Sequence, residues 1–433
     1  MRVLLLGASG FIGSELTRAL QMAGHSVTGL GRDRAYAART LPGIDWITAD
    51  LRAMQSTADW QPHLVGIDAV VNASGSLQTG LRDNVERVQL DAIRALIAAC
   101  ERSKSIHFVQ ISASNADPAA PSSFMATKGE ADALLTASGL SCTVLRPGLV
   151  IGRNAFGGTE MTRMVASLPG IVPVVTGTGE VQCVAMRDLV DAVILSMQNP
   201  ERAQGSYDLV ERDGRPLDAV IALHRAWLGI APARLHLPLP RWLLRPVTVV
   251  ADALGWLGWR SPLRSNSIAA LMNGVSGNTD QAHMLLGREP LSLEQTLAAL
   301  PPSGKADRWH ARTALVYPLA MVCLFALWLG SGLLGLQHLQ QAANILSTGG
   351  VPIERAMNTV FLASLADIAL AALLVVRRTT RLALLGMLAA SFGYVAESVV
   401  MAPYLWSDPL GPMLKVLPAI ALTLLCLAMV DER

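Results

Sequence analysis

Charge is what this chain has least of. Only 16% of its 433 residues are Asp, Glu, Lys or Arg, and aromatics make up 5%, a composition too apolar for an ordinary soluble enzyme. The shortage is uneven. Up to about residue 305 charged and apolar residues mix in the usual way, and beyond it come long uncharged runs, which places part of the protein in lipid. A net charge of +2 and the lack of a Lys/Arg cluster long enough to track phosphates exclude strong attraction to nucleic acid. Cysteine is scarce too: Cys100, Cys142, Cys183, Cys323 and Cys426 are scattered without a Cys-x-x-Cys pair. That excludes a disulfide framework and a thiolate metal site, and it leaves buried thiols in a reducing compartment. The apolar start Val3–Leu6 follows a single Arg2 and ends at once in glycine. It is too short for a signal-peptide core, so the N-terminal part is expected to stay in the cytoplasm.

What is present is a glycine turn in the first thirteen residues. Met1 to Leu6 is an apolar run of strand length, Ser14 to Ala23 has apolar residues at helical spacing, and Gly7-Ala8-Ser9-Gly10-Phe11-Ile12-Gly13 joins them. A βαβ unit places a dinucleotide pyrophosphate at such a junction, where backbone N–H groups of the helix start face the phosphates. Small residues are needed because a Cβ would block that approach, and the last glycine lets helix and strand pack together. The Gly-x-x-Gly-x-x-Gly spacing differs from the commoner Gly-x-Gly-x-x-Gly, and its position opening a βαβ unit gives it weight.

Further strands are expected at His25–Leu30, Ile44–Leu51, Ala69–Gly75, Ile106–Ile111 and Cys142–Gly148, with a helix from about Arg87 to Glu101. Strands alternating with helices predict a doubly wound parallel sheet of Rossmann type. After the second strand comes Gly31-Arg32-Asp33-Arg34. An acid here reads the ribose 2′-hydroxyl of NAD, whereas an arginine accommodates a 2′-phosphate. Arg32 therefore favours NADP(H) over NAD(H), the alternative being that Arg32 and Arg34 are only solvated loop charges. Asp50 at the end of the third strand is expected near the adenine, and Asn72, Ala73 and Ser74 along the cofactor.

With Ser122-Ser123-Phe124-Met125-Ala126-Thr127-Lys128-Gly129-Glu130, and the strand ending in Leu145-Arg146-Pro147-Gly148, the chain resembles the short-chain dehydrogenase/reductase superfamily. The Ile111-Ser112-Ala113 loop, the Lys128-Gly129-Glu130 helix and Val181-Gln182-Cys183-Val184 before Asp188-Leu189 are similar to the atypical, epimerase/dehydratase-like members related to the nucleotide-binding accessory subunit of respiratory complex I. The likeness covers residues 1 to about 300. It implies a Tyr-x-x-x-Lys pair, in which the phenol exchanges a proton with substrate while the lysine lowers its pKa and holds the nicotinamide ribose. In this chain Phe124 stands at the tyrosine position and Lys128 at the lysine. The upstream Ser/Thr position falls on Ala113, with Ser112 and Ser114 on either side as candidates. The expected cofactor contacts are Gly7, Ser9, Gly10, Phe11, Ile12, Gly13, Arg32, Asp50, Leu51, Asn72, Ala73, Ser74, Lys128 and Pro147. No metal site is expected.

Residues 152–304 are expected to supply a small substrate lobe within a domain spanning 1–304. In it, Leu235 to Pro246 and Val247 to Trp259 mix Trp, Leu and Arg in a manner suited to a membrane interface, or else form a helix packed on the Rossmann domain. A basic linker, 305–312, leads to an all-α four-helix transmembrane domain, 313–433, with spans near Thr313–Leu336, Met357–Val376, Leu382–Met401 and Met413–Val430. This region resembles the DoxX-like four-helix membrane family. Lys305, Arg308, Arg312, Arg377, Arg378 and Arg381 flank one side of the spans, Arg355 and Lys415 the other. A multi-pass protein of the cell inner membrane with both termini cytoplasmic follows. Acids inside spans are costly and mark functional candidates. Asp367, without an evident partner, is given either a packing role or one in proton or quinone chemistry; Glu397 is expected to pair with Lys415 at the same depth.

Three functions fit. A membrane-anchored NADP(H)-dependent oxidoreductase acting on a lipophilic acceptor such as a quinone explains anchor and cofactor fold together. A catalytically inactive nucleotide-binding scaffold or sensor in a membrane assembly explains Phe124 beside a retained Lys128. A dehydratase- or epimerase-like head modifying lipids or isoprenoids comes last, since it too needs the tyrosine. The partners expected are the lipid bilayer, a lipophilic small molecule and a membrane protein.

Overall fold

The apolar runs become the central strands of a seven-stranded sheet. In the computed structural model, which describes every residue except 77–78, 81–83, 104–105, 260, 410 and 431–433, eleven strands are formed: β1 (Arg2–Leu6), β2 (Ser26–Gly31), β3 (Asp45–Thr48), β4 (Ala69–Asn72), β5 (His107–Ile111), β6 (Cys142–Pro147), β7 (Leu149–Ile151), β8 (Ile171–Val175), β9 (Cys183–Ala185), β10 (Gly205–Leu209) and β11 (Leu235–Leu239). The main sheet has the order β10-β6-β5-β4-β1-β2-β3 and every pairing in it is parallel. Val3, Leu4, Leu5 and Leu6 are fully buried because both faces are covered by helices. Period-two alternation then divides them. Leu4 and Leu6 join Val70, Phe108 and Val144 under the helix Ala92–Glu101 and Trp60, while Val3 and Leu5 join Val71, Val109 and Leu145 under Leu16, Leu20 and Leu189. Each such side chain contributes about 1.5–3 kcal/mol, so the two faces hold the sheet.

The helix expected from Arg87 opens as a wider π-turn, Arg87–Asp91, before continuing as an α-helix over Ala92–Glu101. Beyond the sheet, β7 pairs with β9 and β8 with β11, in two small ribbons.

The chain divides into two units, Met1–Asp252 with Ser261–Ala311, and Ala253–Arg260 with Arg312–Arg433. Residues 305–312, expected as a linker, instead form the first turns of a 33-residue helix, Lys305–Gln337. Ala311 packs in the first unit among Ala166, Ile221 and Leu228. In the second unit, Trp259 Nε1 donates to the Val375 carbonyl at 2.6 Å, and the Arg377 guanidinium lies 5.5 Å from its ring. The polar and basic composition of 305–312 had suggested a linker; a helix accepts such residues equally well.

Among the described residues three helices are long and apolar enough to cross a membrane: Lys305–Gln337, Ile353–Val375 and Thr380–Val400. The fourth expected span is the helix Val416–Met429, 14 residues long, shorter than the roughly 20 residues that cross a bilayer unaided. An unexpected helix, Leu339–Thr348, occupies the first connection. Asp367 is not partnerless: Ser331 Oγ donates to one of its carboxylate oxygens at 2.8 Å and Tyr394 Oη to the other at 2.7 Å. The expected Glu397–Lys415 pair is not formed among the described residues. Glu397 is half-buried on its helix while Lys415 points outward just before Val416. Equal depth fixes one coordinate of a side chain and leaves its direction around the bundle open.

Removing the Tyr394 hydroxyl with Tyr394→Phe is expected to lower the stability of the detergent-solubilised protein by about 1 kcal/mol, whereas Lys415→Met stays within about 0.5 kcal/mol of the parent. Thermal unfolding in one detergent measures both, and a larger loss for Lys415→Met would restore the discarded ion pair.

Candidate functional site: a nucleotide crevice

Chain order makes β1 the pivot of the sheet. From β1 the chain moves through β2 to β3 on one side and returns to β4 on the other, so the crevice beyond the carboxyl ends of β1 and β4 is where an open α/β sheet binds its ligand. The glycine turn lies there. Gly7, at φ +71°, lies so near the loop after β4 that a Cβ on it would come 2.8 Å from the Ala73 carbonyl oxygen. A Cβ on Gly13 would come 2.1 Å from the Gly7 oxygen, so the helix Phe11–Met22 starts hard against the strand end. Gly10 is its N-cap and has no side chain with which to cap it. The N–H groups of Phe11, Ile12 and Gly13 are left for another acceptor, at the positive end of the helix dipole. Gly10 itself is exposed, and a Cβ on it would stand in the approach. The residues present fit a pyrophosphate.

Around the turn the expected contacts divide into those that line the crevice and those that shape it. Ser9, Ala73 and Ser74 are half-buried at its edge. Asn72 is buried, and its amide donates to Gln110 Oε1 at 2.8 Å while its oxygen accepts the Ser74 N–H at 3.0 Å, so it positions the loop from beneath. Leu51 lies in the core, and the buried Pro147 accepts the Ser114 N–H at 2.9 Å. Asp50, expected near the adenine, already has a partner. Arg52 donates to it from Nε and Nη2, at 3.0 and 2.6 Å. These bonds hold the Asp50 carboxyl below the usual carboxylate range against the opposing effect of burial, with Arg32 adding a weaker attraction. Two guanidinium groups, Arg32 after β2 and Arg52 after β3, thus share this end of the crevice. Sequence reading missed Arg52, although its spacing of two from the acid carried the signal.

Lys128 sits on the helix Ser123–Ala137, whose N-cap Ser122 accepts the Met125 N–H. The adjacent Gly129 is required by close approach, since a Cβ there would lie 2.4 Å from the backbone of Asp117. Lys128 is buried. Its Nζ donates to the Ile111 carbonyl at 2.8 Å and lies 5.8 Å from the centre of the Phe124 ring. Burial pushes its ammonium down to about 8, opposed by Asp132. Asp132, one helical turn on and unnoticed in the sequence despite its i,i+4 spacing, is the hub of this region. It accepts from Ser112 Oγ at 2.7 Å and from Arg146 Nε at 3.2 Å. Burial raises its carboxyl, with Ser112, Lys128 and Arg146 pulling it back. Both serines expected as catalytic candidates are buried and engaged, Ser112 by Asp132 and Ser114 by the Arg146 carbonyl at 3.3 Å. Neither hydroxyl is brought to the Phe124 position by these bonds. Among the described residues no cluster of His, Cys, Asp and Glu could hold a metal.

Comparison with known proteins agrees with this geometry. Residues 7–164 match the NAD(P)H-binding family model and residues 325–424 the DoxX-like family model. A ceramide reductase of Caulobacter vibrioides is 24% identical over 55% of this chain and 74% of its own length. Sterol demethylase protein B of Methylococcus capsulatus is 25% identical over 69% of this chain and 96% of its own. Among solved structures, the UDP-glucose 4-epimerase of Thermus thermophilus in complex with NAD superposes with a TM-score of 0.51 at 18% identity, over 73% of this chain and all of the epimerase. The chain joins an NAD(P)H-binding Rossmann-type domain to a DoxX-like membrane domain.

Two measurements test the crevice. Gly10→Ala, whose Cβ would meet only the Gly7 oxygen at 3.1 Å, is expected to weaken NAD(P)H binding about tenfold or more with little loss of stability, because phosphate approach and not packing is blocked. Gly13→Ala is expected to destabilise the fold itself; calorimetric titration and thermal unfolding distinguish the two. For Lys128, the folded-state pKa of about 8 lies below the ordinary 10.5, so the unfolded chain binds more protons between those values and stability rises with pH there. The unfolding midpoint of the parent should therefore climb relative to Lys128→Met from pH 8 to 10.5; parallel profiles would contradict a buried ammonium whose desolvation outweighs the attraction of Asp132.

Proposed function

We propose that this protein is a membrane-anchored NADP(H)-dependent oxidoreductase whose head works at the cytoplasmic face of the inner membrane and passes a hydride to a lipophilic acceptor such as a quinone. The observation that carries the reading is a close-packed glycine turn at the switch point of the sheet in a chain that also bears helices able to cross a bilayer. The names of the ceramide reductase and sterol demethylase relatives support a lipid-soluble substrate. The basic residues at the inner ends of the spans support the orientation.

The Gly7–Gly13 turn and the N–H groups of Phe11, Ile12 and Gly13 would hold the pyrophosphate, and Ser9, Ala73 and Ser74 would line it. Arg32, with Arg52 beside it, would take a 2′-phosphate, which is why NADP(H) is preferred. Lys128 has three donor hydrogens; it can keep its bond to Ile111 and give another to a ribose hydroxyl. A bound nicotinamide supplies the hydride. Phe124 has no proton to exchange, so the acceptor must be one that takes its proton from water, and a quinone satisfies that condition where a simple ketone does not.

A second reading, a nucleotide-binding scaffold or sensor without turnover, is favoured by the phenyl ring beside Lys128 and by the engagement of Ser112 and Ser114 in structural bonds. Purification of the full chain in mild detergent, identification of the nucleotide released on denaturation, and oxidation on addition of a soluble quinone decide between them. NADPH that is bound and oxidised is the expected result. NADPH that stays bound and unreacted would move the assignment to the scaffold, and no nucleotide even after soaking would sink both.

A further inference from the structure

After Leu228, which is buried in the core, the stretch from Arg234 to Val250 lies largely outside both the crevice and the core. Among the described residues its strand β11 pairs only with β8, in a two-stranded ribbon, and four of its five residues are exposed. A strand in a globular domain ordinarily covers one face; here both are open. Leu235 and Leu237 project on one side of β11, and the register sets Leu235 beside Ile171 of β8, also exposed. The short 3₁₀ turn Arg241–Leu243 and the helix from Leu244 follow directly, with Trp242 65% and Val249 66% exposed. The alternative drawn from the sequence, a helix packed on the Rossmann domain, would bury more of these side chains.

Charge identifies what would cover them. Between Asp218 and Asp252 there is no acidic residue, while Arg234 and Arg245 are exposed beside the apolar groups. Exposed Trp, Leu and Val mixed with arginine, without carboxylates, is the composition of a surface that lies in the headgroup–acyl boundary of a membrane. The same chain carries helices able to span a bilayer, which keeps a lipid surface at hand. We infer that the β8–β11 ribbon and the residues 241–250 form a lipid-docking face of the first unit, seated on an anionic membrane. Leu237, Trp242 and Val249 enter the acyl edge, and Arg234 and Arg245 meet lipid phosphates. The docking goes beyond the oxidoreductase reading and does not need it, because a scaffold would dock equally.

The test uses the full chain in nanodiscs of phosphatidylglycerol and phosphatidylcholine, with Cys323 replaced by serine because it is the exposed thiol among four buried ones. Nitroxide labels are placed by Leu237→Cys, by Val249→Cys and, as an aqueous control, by Met22→Cys, which is 83% exposed. Collision with a water-soluble nickel chelate is expected to be at least about fivefold weaker at 237 and 249 than at 22, and collision with oxygen stronger, as for groups at the acyl boundary. Nickel accessibility equal to that at 22 would overturn the inference. So would shielding from both reagents, which means a protein cover, or dipolar broadening between labels, which means a second copy. Nucleotide oxidation is read separately on the same samples, so a failure of docking and a failure of catalysis are told apart.

Discussion

The near contact between Gly13 and the carbonyl of Gly7 governs the first unit. No side chain fits between them, so the helix begins where β1 ends and its unpaired N–H groups face the crevice at the switch point of the sheet. Everything else at the site is arranged around that fixed origin. The loop after β4 closes against Gly7, Asn72 and Gln110 hold that loop from below, and the parallel sheet buried on both faces keeps the strand ends level.

The strands and the turn were legible because their signals are local. A doubly covered strand such as Val3–Leu6 is a continuous apolar run, and a glycine-rich strand–helix junction can be recognised from a dozen residues. What could not be read were the choices made by side chains with several partners in reach. Asp50 was expected to wait for adenine and is held by Arg52; Ser112 was expected at a reaction centre and serves Asp132. Glu397 and Lys415 were matched by depth alone, and they form no pair: Glu397 is half-buried and Lys415 exposed. The limits of the membrane helices were misjudged for a different reason. Hydropathy marks where lipid begins, not where a helix does, so the helix Lys305–Gln337 runs through the polar residues that had been read as a linker.

Two buried carboxylates show the same solution in two media. Asp132 in the head accepts a hydroxyl and a guanidinium, while Asp367 among the membrane helices accepts two hydroxyls, from Ser331 and Tyr394. Both oxygens of Asp367 are satisfied from neighbouring helices, so this acid links three of them, and a packing role accounts for its presence without any reaction. In hydrocarbon such a bond has little water to compete with it, yet its measured worth is modest because unfolded helices in a membrane also find partners.

The covalent continuity of head and membrane helices changes the meaning of concentration for this protein. A molecule dissolved in the same bilayer meets the head by lateral diffusion, and its encounter rate follows its mole fraction in lipid, not its amount per volume of solution. Adding inert lipid to a fixed quantity of the protein and of such a molecule dilutes both in two dimensions while every bulk concentration stays constant. Growth or remodelling of the membrane would therefore alter the protein's working conditions with no change in its abundance.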